Sequence, residues 1–119
     1  MSCSKKCRFR TNAKAIFGVD DAGLEDIKRL LLRINNLAIE GKPEDLVITT
    51  HVCRGNFHST YASSGAYDSV AETLFAGENV SAYYLEFDDE RSGGFEPLKA
   101  VSGDKKVVLG LITSKKPEL

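Results

Sequence analysis

No stretch of the chain approaches the roughly 18 consecutive apolar residues that cross a bilayer. Its start, MSCSKKCRFRTNAKAIF, is basic but has no apolar centre of the secretory kind. A membrane partner is therefore not expected. An excess of either charge is also missing. Sixteen Lys and Arg face 17 Asp and Glu, for a formal net charge of -1. No broad basic face can form to neutralise phosphates, so nucleic acid is not an expected partner. The cysteines number 3, an odd count that argues against a closed disulfide framework. Reduced thiols or metal ligands accommodate them better, which fits a cytoplasmic setting. No internal repeat is visible.

What is present is an ordinary globular composition, 42% hydrophobic and 28% charged, in 119 residues, enough for one core. The segment DDAGLEDIKRLLLRINNLAIEGKP places Leu24, Ile27, Leu30, Leu31, Ile34, Leu37 and Ala38 at helical spacing. This predicts an amphipathic helix over roughly 21–40. Asp20 or Asp21 caps its free amides, and Gly41 followed by Pro43 stops it. Residues 1–19 form a poorly defined N-terminal segment.

Leu46 to Cys53 is a short β-branched run, read as a parallel strand covered on both faces. A long Gly- and Ser-rich loop, RGNFHSTYASSGAYDS, follows. Val70, Ala71, Leu74 and Phe75 then mark one face of a short helix. Ser81 to Phe87 reads as a second strand, Phe95 to Val101 as a brief helix, and Val107 to Ile112 as a third strand. The spacing suits successive βα units with the three strands side by side. The fold class is α/β, either a doubly wound sheet or a partial (β/α)8 TIM-barrel segment, since a full barrel needs about 250 residues.

Sites in such folds form where strands end. Residues two apart on a strand share a side, so His51 and Cys53 can reach one ion while Val52 packs opposite. Imidazole and thiolate are zinc donors, and Glu86, near the end of the next strand, is the candidate carboxylate. The bland alternatives are a buried Cys acting as a small hydrophobe and a carboxylate merely exposed at a strand end.

The stretch PEDLVITTHVCRGNF, followed by YDSVAETLF, YYLEFDDERSGGFEPL and VVLGLITSKKPEL, resembles the C-terminal catalytic barrel of the cobalamin-independent methionine synthase family. The shorter, single-barrel bacterial members are the most similar. The resemblance runs over residues 20–119 and implies a partial TIM-barrel catalytic domain. It implies zinc held by His51, Cys53 and Glu86, and methyl transfer from methyl-tetrahydrofolate to the thiol of homocysteine. The family's fourth zinc ligand, a later cysteine, has no counterpart, and Cys3 and Cys7 do not align with it. Thr113, before Ser114, stands where longer members have a proton-transfer histidine, so no catalytic residue is assigned. The upstream strands that complete the family's substrate site precede Met1.

The remaining candidates carry two readings each. Arg54 and Asn56 contact substrate or stabilise their loop. Arg91, with Ser92, binds a substrate carboxylate, or else Arg91 pairs with Asp88 or Glu90 in a solvated charged turn. His58 approaches the cleft or is a surface imidazole, and Gly110 permits close backbone approach or simple packing. Two rival functions stand beside the first. One is an inactive zinc-barrel module acting through a homo-oligomer or a complementary chain, because an open slice of barrel leaves unpaired edges. The other is a different zinc-dependent thiol alkyltransferase acting on a thiol such as coenzyme M.

Overall fold

Asp20 starts the longest helix, its carboxylate accepting the Gly23 amide at 2.8 Å, which satisfies one of the donors that a helix leaves free. The structure, a computed structural model, describes residues 14–56, 58–59 and 66–117. Cys3, Cys7 and most of the N-terminal segment lie outside these, as does part of the loop after the His-x-Cys run. Residues 14–17 are helical. Helix α1 then spans Asp21–Ile39 and closes at Glu40, with Gly41 at φ 76 turning the chain away. Both ends lie within a residue of the sequence expectation.

Strand β1 is Thr49–Val52. A 3-10 turn at Tyr67–Ser69 leads into helix α2, Ala71–Gly77, and then strand β2, Ala82–Glu86. Two further 3-10 turns, Glu90–Ser92 and Glu96–Ala100, precede strand β3, Lys106–Gly110. The three strands form one parallel sheet in the order β1-β2-β3. Thr49 pairs with Ala82 and Ala82 with Lys106, so the strands start level and end level. The strands are shorter than the apolar runs because Leu46, Val47, Leu111 and Ile112 extend past the ladder into exposed backbone.

One face of the sheet makes the core. Tyr83 and Leu85 of β2 meet Phe75 and Ala71 of α2, Tyr67 and Val80, all buried. Val52, Val107 and Leu109 pack on the same cluster. Phe75 lies edge-on to Tyr83 with centroids 5.1 Å apart, and Tyr67 stacks near Phe87 at 5.3 Å, geometries in which ring edges meet π-faces or rings offset. The Tyr83 hydroxyl, which would otherwise be stranded, donates to Leu74 O at 2.7 Å.

The opposite face is open. Strand alternation puts His51, Tyr84 and Val108 there, and Tyr84 and Val108 are each 43% exposed. The expectation of a first strand covered on both faces is therefore corrected: on this side His51, like Tyr84 and Val108 beside it, is exposed. An apolar run reads the same whether one or two layers cover it, so sequence could not distinguish them.

Helix α1 also departs from expectation. Of its apolar stripe only Leu24 is buried, while Leu30, Leu31, Ile34 and Leu37 are at least half exposed. It is fixed to the rest by polar contacts on another side. Asn36 Nδ2 donates to Gly77 O, Asn35 Nδ2 to Glu78 Oε1, and Lys28 Nζ to Ser69 O. Leu32 fills the space above Gly77, where a Cβ would come within 2.7 Å of it. Among the described residues no helix is long and apolar enough to cross a membrane.

Phe75 is fully buried at the centre of the ring cluster. Phe75→Ala is expected to cost about 3–5 kcal/mol in urea unfolding, and Leu30→Ala, on the exposed stripe, under about 1 kcal/mol.

Candidate functional site

Because the strands run parallel and in level register, their C-terminal ends meet along one rim, with His51 opposite Tyr84 and Glu86 opposite Gly110. On the open face this rim borders a cavity of about 370 Å³. Tyr84, Val108 and Ile112 give it an apolar floor, and His51, Glu86 and Lys115 give it polar walls. Two of the three metal candidates, His51 and Glu86, thus share one cavity. Cys53 sits one residue past β1, exposed and outside the cavity lining, with its Sγ accepting the Gly55 amide at 3.2 Å.

The charged turn after β2 is a buried cluster, not the solvated turn expected. Arg91 Nη2 donates to both Asp88 oxygens, at 2.9 and 3.2 Å, and to Glu86 Oε2 at 3.2 Å. Its Nε donates to Asp89 at 3.0 Å. Lys115, from the loop after β3, donates to Asp88 at 3.3 Å and stands 3.9 Å from Glu86. The Asp88 and Arg91 side chains are 5% and 7% exposed, so water screens these charges little. Burial alone would raise the Asp88 pKa, but hydrogen bonds from Thr113, Arg91 and Lys115 outweigh it and hold the carboxyl down at about 2. Thr113 therefore grips Asp88.

The other candidates bind the protein itself. Arg54 is buried, its guanidinium 4.2 Å above the Tyr67 ring and its Nη1 donating to Arg91 O. Ser92 is 1% exposed and its hydroxyl donates to Glu86 O. Asn56 Nδ2 donates to Ser114 Oγ at 2.7 Å, joining the loops after β1 and β3. His58 is exposed, with φ 50, and does not border the cavity. Gly110 does border it; a Cβ there would meet Leu85 O at an ordinary 3.5 Å, so no close approach demands glycine.

Sequence reasoning missed two members of the rim, Lys115 and Tyr67. The Tyr67 hydroxyl accepts the Glu86 amide and donates to the Glu86 carbonyl. Burial raises the phenol's pKa despite the opposing Arg54 charge, so it stays a donor. No local signal marks either residue, since each reaches the site from a separate loop.

Residues of this chain are similar to two Bacillus subtilis (strain 168) proteins. One, the uncharacterized protein YxjG, is 50% identical over 96 residues, which make up 80% of this chain and 25% of that protein. The other, the uncharacterized protein YxjH, is 51% identical over 96 residues, covering 80% and 26%. The chain thus spans about a quarter of the length of these relatives. No protein-family model matches it, and no solved structure does.

The donor types at the rim suit zinc, but their placement in this chain does not close a site. Among the described residues no three His, Cys, Asp or Glu side chains converge closely enough to hold a metal ion. The Glu86 carboxylate already faces two cations.

The pKa of Asp88 is lower folded than unfolded, so the ionised group stabilises the fold above about pH 4. That contribution fades as the pH falls from there through about 2. Asp88→Asn is expected to lower unfolding free energy at pH 7 by on the order of 2 kcal/mol. Urea titrations across pH 2–7 should show a flatter acid limb in the variant.

Proposed function

We propose that this chain is a segment of a (β/α)8 barrel of the cobalamin-independent methionine synthase type. In this reading the complete protein is a cytoplasmic transferase that moves a methyl group from a methyl-tetrahydrofolate to the thiol of homocysteine. The observation that carries it is the sharing of one rim cavity by His51 and Glu86, at the C-terminal ends of adjacent parallel strands, where barrel enzymes place their sites. The ordered similarity of the strand and loop motifs to that family supports it too.

His51, Cys53 and Glu86 are the assigned zinc donors, with only a fourth ligand left to further βα units. Relatives about four times as long as the matched stretch leave room for such units. Within this chain, His51 supplies an imidazole to the cavity, and Tyr84, Val108 and Ile112 line one side of it with apolar surface. Asp88 neutralises Arg91 and Lys115 next to Glu86.

A second reading is favoured by the open sheet face. Tyr84, Val108 and Ile112, 43%, 43% and 79% exposed, form an apolar surface between two strand edges that no other strand among the described residues pairs with. Such a surface suits pairing with another copy or with a complementary chain.

Zinc titration should separate the readings. At free zinc about 100-fold above Kd, the first predicts roughly 2.7 kcal/mol of added stability. That gain should vanish in His51→Ala and in Cys53→Ser. A wild-type protein whose melting is indifferent to saturating zinc sinks the donor assignment. Light scattering at micromolar concentration should give a mass above that of one chain; a sharp monomer counts against the pairing reading.

A further inference from the structure

Glu86 is the last residue of β2, and its main-chain groups face an unusual situation. Successive residues of a strand send N–H and C=O to opposite neighbours. The Phe87 amide reaches β3, bonding Gly110 O at 2.9 Å, so the alternation turns the Glu86 amide and carbonyl toward β1. But β1 has already ended, its last pair being Val52 with Leu85. Among the described residues no strand remains to meet Glu86 on that side.

The Tyr67 hydroxyl stands in that place. Its oxygen accepts the Glu86 amide at 2.8 Å and donates to the Glu86 carbonyl at 3.2 Å, as a neighbouring strand would. The Ser92 hydroxyl donates to the same carbonyl at 2.7 Å. The phenol is itself fixed, being 2% exposed, with Phe75 and Phe87 rings beside it and the Arg54 guanidinium over its face. Arg54 continues to the Arg91 carbonyl, and Arg91 holds the Glu86 carboxylate. The contacts close a circuit through Tyr67, Glu86, Arg91 and Arg54.

We propose that Tyr67 is the positioning residue for Glu86: its hydroxyl replaces an absent strand partner and sets how the carboxylate enters the His51 cavity. Tyr67 does not border the cavity, so it acts through Glu86 and not on a ligand. The consequence for metal binding rests on the functional reading above; the consequence for the Glu86 backbone does not.

The test uses Tyr67→Phe in the full chain, which keeps the buried ring and deletes only the hydroxyl. Amide hydrogen exchange followed by NMR should show Glu86 exchanging about tenfold faster or more, out of step with Leu85 and Leu109. Ser92→Ala, which leaves the Tyr67 bond to the Glu86 amide, should keep Glu86 protected. Equal acceleration at all three amides of Tyr67→Phe, or none at Glu86, overturns the proposal. Zinc affinity should weaken by roughly 10- to 100-fold, the usual loss for a group that orients a ligand. An unchanged zinc Kd in Tyr67→Phe also overturns it. Should the wild-type protein take up no zinc, the functional reading falls and the exchange comparison decides alone. If Tyr67→Phe does not fold, the wild-type spectrum decides. A slowly exchanging phenolic proton close to the Glu86 amide is then expected, and its absence refutes the role.

Discussion

A carboxylate removed from water must be surrounded by donors, and Asp88 meets that requirement with groups drawn from two loops. Arg91 comes from the turn after β2; Thr113 and Lys115 come from the segment after β3. The turn that bears Arg91 is itself capped by Asp89, which accepts the Arg91 amide. Remove the Asp88 charge and two buried cations lose the closer of the two carboxylates they share, leaving Glu86 between them and Asp89 on Arg91 alone. The arrangement of the cavity wall thus depends on a residue at its edge and not on its most visible donors.

The packed face answers a different demand. Tyr67, Phe75 and Tyr83 are large enough that three rings and Leu85 fill most of the space between sheet and helix. A small structure with so few fully buried side chains relies on each of them heavily. Helix α1 adds little apolar burial, because its asparagines and Lys28 make the contacts with the α2 region. Leu30, Leu31, Ile34 and Leu37 face outward, as does the other side of the sheet, and both surfaces are the kind that chains seldom leave bare.

Much of this was legible in the residues. Helical spacing and the Asp20 cap placed α1 closely, and three β-branched or aromatic runs at βα spacing placed a three-stranded parallel sheet. Strand periodicity put His51 on the side away from Val52, and level register brought Glu86 to the same cavity. Cys53 broke the pattern because the strand ends at Val52, and period-two reasoning stops where the ladder stops. The pairing of Arg91 with Asp88 was one of two readings, but a run of four charged residues gives no sign that the pair is buried. Here a 3-10 turn folds Arg91 back onto three carboxylates, a fact of backbone geometry that composition does not carry. Tyr67 and Lys115 were invisible for a related reason: each acts across a gap of many residues.

The rim loops are cross-linked to one another. Asn56 joins the first to the third, Arg54 joins the first to the second, and Asp88 joins the second to the third. None of these bonded residues can swing without stretching a bond to another loop, so the described part of the cavity mouth is braced at three points. A small molecule entering it meets side chains already held at those points, and holding them forfeits little entropy at that moment. Selection among guests then falls to shape and charge, with scant room for the mouth to remould itself around a poor fit.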